Sequence, residues 1–153
     1  MRGPCRRKTE LNLVFRLIWL APSRTQCVLV ISLLLLEHPP LIRRALVARL
    51  LLESDLRMVA EADHASEAVR YAQSLHPDVV LLDAQMPNLD VSETVRQLRA
   101  RSPSSRIVLL SLDSGMLARD FDRAAPLIVG KHEGIEALLV AIRTAPTRVP
   151  HAD

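Results

Sequence analysis

Aromatic side chains are scarce in this chain: one Trp, one Tyr and two Phe, 3% of 153 residues. A core without rings must be built from aliphatic side chains, and Leu, Val, Ile and Ala abound. Cysteine is almost as rare. Cys5 and Cys27 stand alone, without CxxC spacing or neighbouring ligand histidines, which excludes a disulfide scaffold and fits a reducing compartment. Lysine is scarcer than the positive charge suggests. Of 20 basic side chains 18 are Arg, so Lys131 is alone in the body of the chain, with Lys8 at its head. Arginine is a planar fork and lysine a compact point charge, so one retained Lys points to a place that needs an ammonium. There is no glycine-rich phosphate loop, internal repeat or low-complexity tract.

Acidic charge is missing from the head. Residues 1–24 hold six basic side chains (Arg2, Arg6, Arg7, Lys8, Arg16, Arg24) and one acid, Glu10, whereas the remainder holds 14 basic and 16 acidic groups. The net charge of +3 therefore belongs to the head, and charge alone does not make the body a nucleic-acid surface. After the basic start, residues 11–20 are apolar except for Asn12 and Arg16. Arg16 argues against a signal peptide, and the run falls short of the roughly 20 apolar residues that cross a bilayer. The expected organisation is an extension over 1–24 (amphipathic, disordered, or translated from an unused upstream start), a domain over 25–145 and a frayed tail over 146–153. The expected location is the cytoplasm.

From residue 27 onward, strand-like and helix-like segments alternate. Residues 27–36 form a continuous apolar run, as a strand covered on both faces requires. Pro39-Pro40 opens a helix over 41–53, with helical spacing at Leu41, Ala45, Ala48 and Leu52. A short strand over 56–61 precedes a helix over 66–75, with Glu67 in its first turn. His76-Pro77 breaks that helix. The pattern continues with a strand at 79–82, a helix at 91–101, a strand at 107–110, a weak helix at 116–123, a strand at 127–130 and a helix at 135–143. Strict alternation predicts a parallel sheet with helices on both faces. The apolar excess on the first and fifth helices (Leu41, Leu46, Leu50; Ile135, Leu138, Ile142) is assigned mainly to the core, with a homodimer face as the alternative.

In such a sheet the carboxyl ends of the strands share one edge, where ligands bind. The first strand delivers Glu37-His38 to that edge, the third Asp83, the fourth Ser111 and the fifth Gly130-Lys131. Two carboxylates, a hydroxyl and an ammonium suit capture of a phosphoryl group. Asp83 would attack phosphorus, and Glu37 with Asp83 would hold a divalent cation that offsets anionic repulsion. Ser111 would hydrogen-bond one phosphoryl oxygen and Lys131 would pair with another.

These residues carry a resemblance. Glu37-His38-Pro39, then Pro77-Asp78-Val79-Val80-Leu81-Leu82-Asp83 with Met86-Pro87 and Asp90, then Val108-Leu109-Leu110-Ser111, and finally Lys131 resemble the receiver domain of bacterial response regulators. The similarity is greatest to the NarL-type subgroup, which carries a helix-turn-helix output. The resemblance implies a flavodoxin-like (βα)5 doubly wound sheet with strand order 2-1-3-4-5. It also implies phosphorylation of Asp83 by a sensor histidine kinase, and a switch pair at Ser111 and Lys131. Mg2+ would be held by Glu37, Asp83 and the backbone carbonyl of Gln85. No enzymatic turnover, membrane span or direct DNA contact is expected, since the residues after Ala145 are too few for a helix-turn-helix.

Several departures from the family pattern stand beside these matches. The family places two adjacent acids after the first strand, and here the pair reads Leu36-Glu37, which should weaken a hard-cation site. Its glycines after the Met-Pro are Asn88 and Val91, and its aromatic switch position is Ile128. The segment between Ser111 and Lys131 is about two residues short for the fold. The leading expectation is a phosphorelay receiver that switches partner binding, and the runner-up is a phosphorylation-independent pseudo-receiver serving as an interaction module. A hydrolase is not supported, because no second acid follows Asp83 two residues later.

Overall fold

The structure is a computed structural model, and it describes residues 29–117, 121 and 126–144. The expectations for residues 1–24 and 146–153 lie outside the described residues. Five strands, β1 (Ile31–Leu36), β2 (Leu56–Ala62), β3 (Val79–Asp83), β4 (Arg106–Ser111) and β5 (Leu127–Gly130), alternate with helices α1 (Pro40–Leu50), α2 (Ala65–Leu75), α3 (Val91–Arg101), α4 (Ser114–Leu117) and α5 (Gly134–Arg143). All four strand pairings are parallel, and the order is β2-β1-β3-β4-β5. This is the flavodoxin-like architecture, in the strand order expected.

Alternation along the strands divides the core in two. Leu33 and Leu35, Val79 and Leu81, Val108 and Leu110, and Val129 join Leu50 of α1 and Leu138, Leu139 and Ile142 of α5. Their neighbours Leu34, Leu36, Val80, Leu82, Ile107 and Leu109 join Ala68 and Ala72 of α2 and Val95 and Leu98 of α3 on the other side. Such two-sided burial explains why these strands read as unbroken aliphatic runs.

Local chemistry sets the element ends. Pro40 occupies the first turn of α1, where its missing N–H costs nothing. Asp90 caps α3, its Oδ1 accepting from the Glu93 N–H at 2.9 Å. His76 ends α2 in the left-handed conformation at φ 45°, and Asn88 adopts φ 57°. Where the family has glycine, Asn is among the side chains that tolerate this region best. At the amino end of the sheet, the Ser32 N–H and Oγ donate to Asp78 Oδ2 at 2.8 and 2.6 Å, and the Asp78 N–H donates to Ser32 Oγ at 2.9 Å. These three bonds tie β1 to β3.

Some boundaries and faces differ from expectation. Helix α1 stops at Leu50 instead of residue 53, and turns fill residues 51–55. Strand β1 begins at Ile31, and residues 27–28 lie outside the described set. Helix α4 starts at Ser114, two residues before the expected start; residues 118–120 and 122–125 lie outside the described set, so the expected shortfall there is not addressed. The inward face of α1 is also not the one its spacing suggested. Leu41 and Leu52 are 78% and 75% exposed, while Leu46, Val47 and Leu50 pack inward. Arg43 lies toward the sheet edge, its Nη1 donating to the Glu37 carbonyl at 3.1 Å and its Nε 3.4 Å from Glu61 Oε2; with Leu46, Val47 and Leu50 inward, Leu41 is left on the outer face.

Candidate functional site

The strand register assembles the site. Leu36 pairs with Leu82, Asp83 with Leu110, and Ser111 with Gly130, so Glu37, Asp83, Ser111 and Lys131 emerge on one edge. Lys131 Nζ lies 2.7 Å from Asp83 Oδ1, a charge-assisted contact. The Asp83 side chain is 2% exposed and that of Lys131 26%, so the acid is buried and its ammonium partner reaches solvent. The same Oδ1 accepts the Gln85 N–H at 3.0 Å. Lys131 follows β5 directly and opens a 3-10 turn over Lys131–Glu133. That turn is tightened by the Gly130 N–H donating to Glu133 Oε2 at 2.9 Å. A Cβ at 130 would fall 2.6 Å from the ring of the exposed His132, so a larger residue there requires that ring to swing aside.

Glu37 is buried at 1% exposure. Burial pushes its carboxyl up to about 7, assisted by the hydrogen bond and the charge of Asp83 and opposed by Lys131 and the His38 N–H. The His38 N–H donates to Glu37 Oε1 at 3.0 Å. The neighbouring Asp83 carboxylate thus adds to burial in favouring the protonated form of Glu37. Leu36 is fully buried and faces the α2/α3 side with Leu82 and Met86. At that position an aliphatic side chain joins the core, and no acid reaches the edge. Among the described residues no cluster of three or more His, Cys, Asp or Glu could hold a metal ion.

Ser111 is also buried. Its Oγ accepts the Gln85 Nε2–H at 3.0 Å and the Asp113 N–H at 3.1 Å. The Gln85 side chain was not singled out from the sequence, nor was Arg43 as the anchor of the Glu37 carbonyl. The Gln85 contact joins segments that only the fold brings together, and the Arg43 contact, though only six residues apart in sequence, is made to a main-chain carbonyl that no side-chain pattern marks. Ile128 is half-buried and packs against the α2/α3 side of the core.

Glu37 and Lys131 also form the polar end of a cavity of about 320 Å3 between α1 and α5, otherwise lined by apolar groups including Ile42, Leu46, Val129 and Leu138. No helix among the described residues is long and apolar enough to cross a membrane.

Comparisons with known proteins agree with this geometry. Residues 33–143 match the response regulator receiver domain. The nitrate/nitrite response regulator protein NarL of Escherichia coli K12 is 34% identical over 83 residues, covering 54% of this chain and 38% of that protein. This chain therefore spans well under half of that relative's length. The chemotaxis protein CheY of Listeria monocytogenes is 29% identical over 114 residues, covering 73% of this chain and 96% of that one. Among solved structures, the response regulator domain of Thermotoga maritima CheB superposes with a TM-score of 0.67 at 25% identity, covering 76% of this chain and 96% of that one. The family match spans the strands and the edge that carries the acids, and the chain belongs to the response regulator receiver domain family.

Proposed function

We propose that this receiver accepts a phosphoryl group on the carboxylate of Asp83, delivered by a sensor histidine kinase, and thereby changes its affinity for a partner. The observation that carries the reading is the Lys131–Asp83 contact at 2.7 Å, with Ser111 buried on the adjacent strand end. A carboxylate oxygen of Asp83 attacks phosphorus, the bond from phosphorus to the donor nitrogen breaks, and the imidazole leaves with its electron pair. The product is an acyl phosphate on Asp83. Lys131 then moves from the carboxylate to a phosphoryl oxygen, and the Ser111 hydroxyl donates to another. Movement of these two groups biases the β4–α4–β5 face between two arrangements.

The donor set suits a hard divalent cation, with reduced strength. Glu37, Asp83 and the Gln85 carbonyl are all oxygen donors of the kind Mg2+ takes. Burial first, and the neighbouring Asp83 second, raise the affinity of Glu37 for a proton, and a bound cation would favour its ionised form instead. When bound, Mg2+ supplies charge neutralisation between the carboxylates and the incoming phosphoryl oxygens. With Leu36 in the core, the protein offers two carboxylates for this work.

That deficit favours a second reading, a pseudo-receiver that binds its partner without phosphorylation. Incubation of the full chain with acetyl phosphate and saturating Mg2+, beside Asp83→Asn, separates the two. The first reading expects an acid-stable, base-labile phosphate on the wild type and none on the variant. An unlabelled wild type would favour the pseudo-receiver. Exposed Leu41 and Ile42 on α1 and Val140 on α5 support a homodimer through these helices. The site of action is proposed to be the cytoplasm, and direct DNA contact by the described residues is not part of the proposal.

A further inference from the structure

We propose that the Gln85 side chain is a latch on the phosphoryl switch, holding the Ser111 hydroxyl in the resting state and slowing phosphoryl uptake until it lets go. This inference rests on Asp83 being the acceptor. Gln85 is bonded to both halves of the site. Its N–H is on Asp83 Oδ1 at 3.0 Å and its amide Nε2–H is on Ser111 Oγ at 3.0 Å.

A serine hydroxyl has two acceptor lone pairs and one hydrogen. At Ser111 the Gln85 amide and the Asp113 N–H, at 3.0 and 3.1 Å, supply two donors. Two donors from different directions fix where the remaining hydrogen points. To serve a phosphoryl oxygen, Ser111 must redirect that hydrogen and shift toward Asp83, and one of the donors has to yield. The Asp113 donor is a main-chain group of the loop after β4. The Gln85 donor is the end of a flexible side chain on an exposed residue, which water can satisfy on release. The latch therefore opens at Gln85.

The bond is between neutral groups and one partner stays solvated after release, so its loss shifts the switch by roughly three- to tenfold. Gln85→Met keeps the length of the side chain and the main-chain carbonyl while removing the donor. Acetyl phosphate labelling with Mg2+ should then run roughly three- to tenfold faster than in the wild type. In a Ser111→Ala background the same substitution should change nothing, since the latch has no catch. Before any donor is added, Ser111→Ala should shift the Gln85 side-chain amide resonances in a 15N spectrum, and the other Gln amides should stay in place.

A wild type that labels while Gln85→Met labels at the same rate or more slowly overturns the latch and leaves Asp83 as acceptor. Unmoved Gln85 resonances in Ser111→Ala overturn it as well. If neither wild type nor Gln85→Met labels, the acceptor reading itself fails and takes the latch with it. Labelling of Gln85→Met alone would be its strongest support.

Discussion

The two halves of the candidate site have been treated differently by this sequence. On the phosphoryl side, Asp83, Lys131 and Ser111 are each delivered by a strand end, and the ammonium already sits on the acid. On the cation side, one of the two acids implied by the resemblance is Leu36, packed with Leu82 and Met86. Its neighbour Glu37 is pushed toward its protonated form by burial and by the adjacent Asp83. The edge thus has the charge partner and the hydroxyl in place, with a single acid at positions 36–37. The comparison teaches that one position can serve either layer: as Leu36 it adds apolar burial to the core, and it brings no carboxylate to the edge.

The comparison is sharpest at Lys131. Lys131→Ala removes the cation beside a buried carboxylate, and phosphoryl uptake should fall about a hundredfold; labelling kinetics check this, and an unchanged rate would show the ammonium to be dispensable. The reverse operation on the cation side is Leu36→Asp. It should raise Mg2+ affinity by roughly tenfold and lower stability without Mg2+ by about 2–4 kcal/mol. Titration calorimetry and urea melts read the two effects. Loss of stability without tighter Mg2+ would mean the new acid cannot reach the edge.

A smaller effect concerns Glu37. Because its carboxyl is raised from 4.5 to about 7, the stability it contributes is fully present below about pH 4.5. That contribution is lost as pH rises through about 7. Thermal melts of the wild type in Mg2+-free buffer should therefore decline across this window more steeply than those of Glu37→Gln, which does not titrate. Parallel profiles would show that Glu37 does not take up a proton in this range. The smallest effect is at Leu41, on the exposed face of α1. Leu41→Ser should change monomer stability by no more than about 0.5 kcal/mol, and sedimentation should show a weaker dimer; an unchanged association constant would remove this face from the interface.

Much of the architecture was legible because alternating strand-like runs and helical spacings leave few topologies. Helices α2, α3 and α5 began within a residue of expectation, and the His76-Pro77 break at the end of α2, Asp90 before α3 and the Gly130-Lys131 turn before α5 punctuate the chain. The rotation of α1 was not legible. Apolar residues lie on several of its faces, and the contact of Arg43 with a carbonyl six residues earlier is marked by no side-chain pattern. The four side chains at the edge were legible because a parallel sheet must bring strand ends together. The Gln85–Ser111 bond was not, since it joins positions 26 residues apart through a polar side chain in a turn, and such a contact leaves no periodic trace.

The three hydrogen bonds between Ser32 and Asp78 act far from the acids yet decide where the acids go. Sliding β1 by a single residue would exchange the inward and outward sets along the strand, driving Glu37 toward the α2/α3 layer and sending Leu36 into the other. A polar fastening at the opposite end of the sheet thus sets the aim of the carboxylate, and loosening it would disarm the edge without touching any residue there.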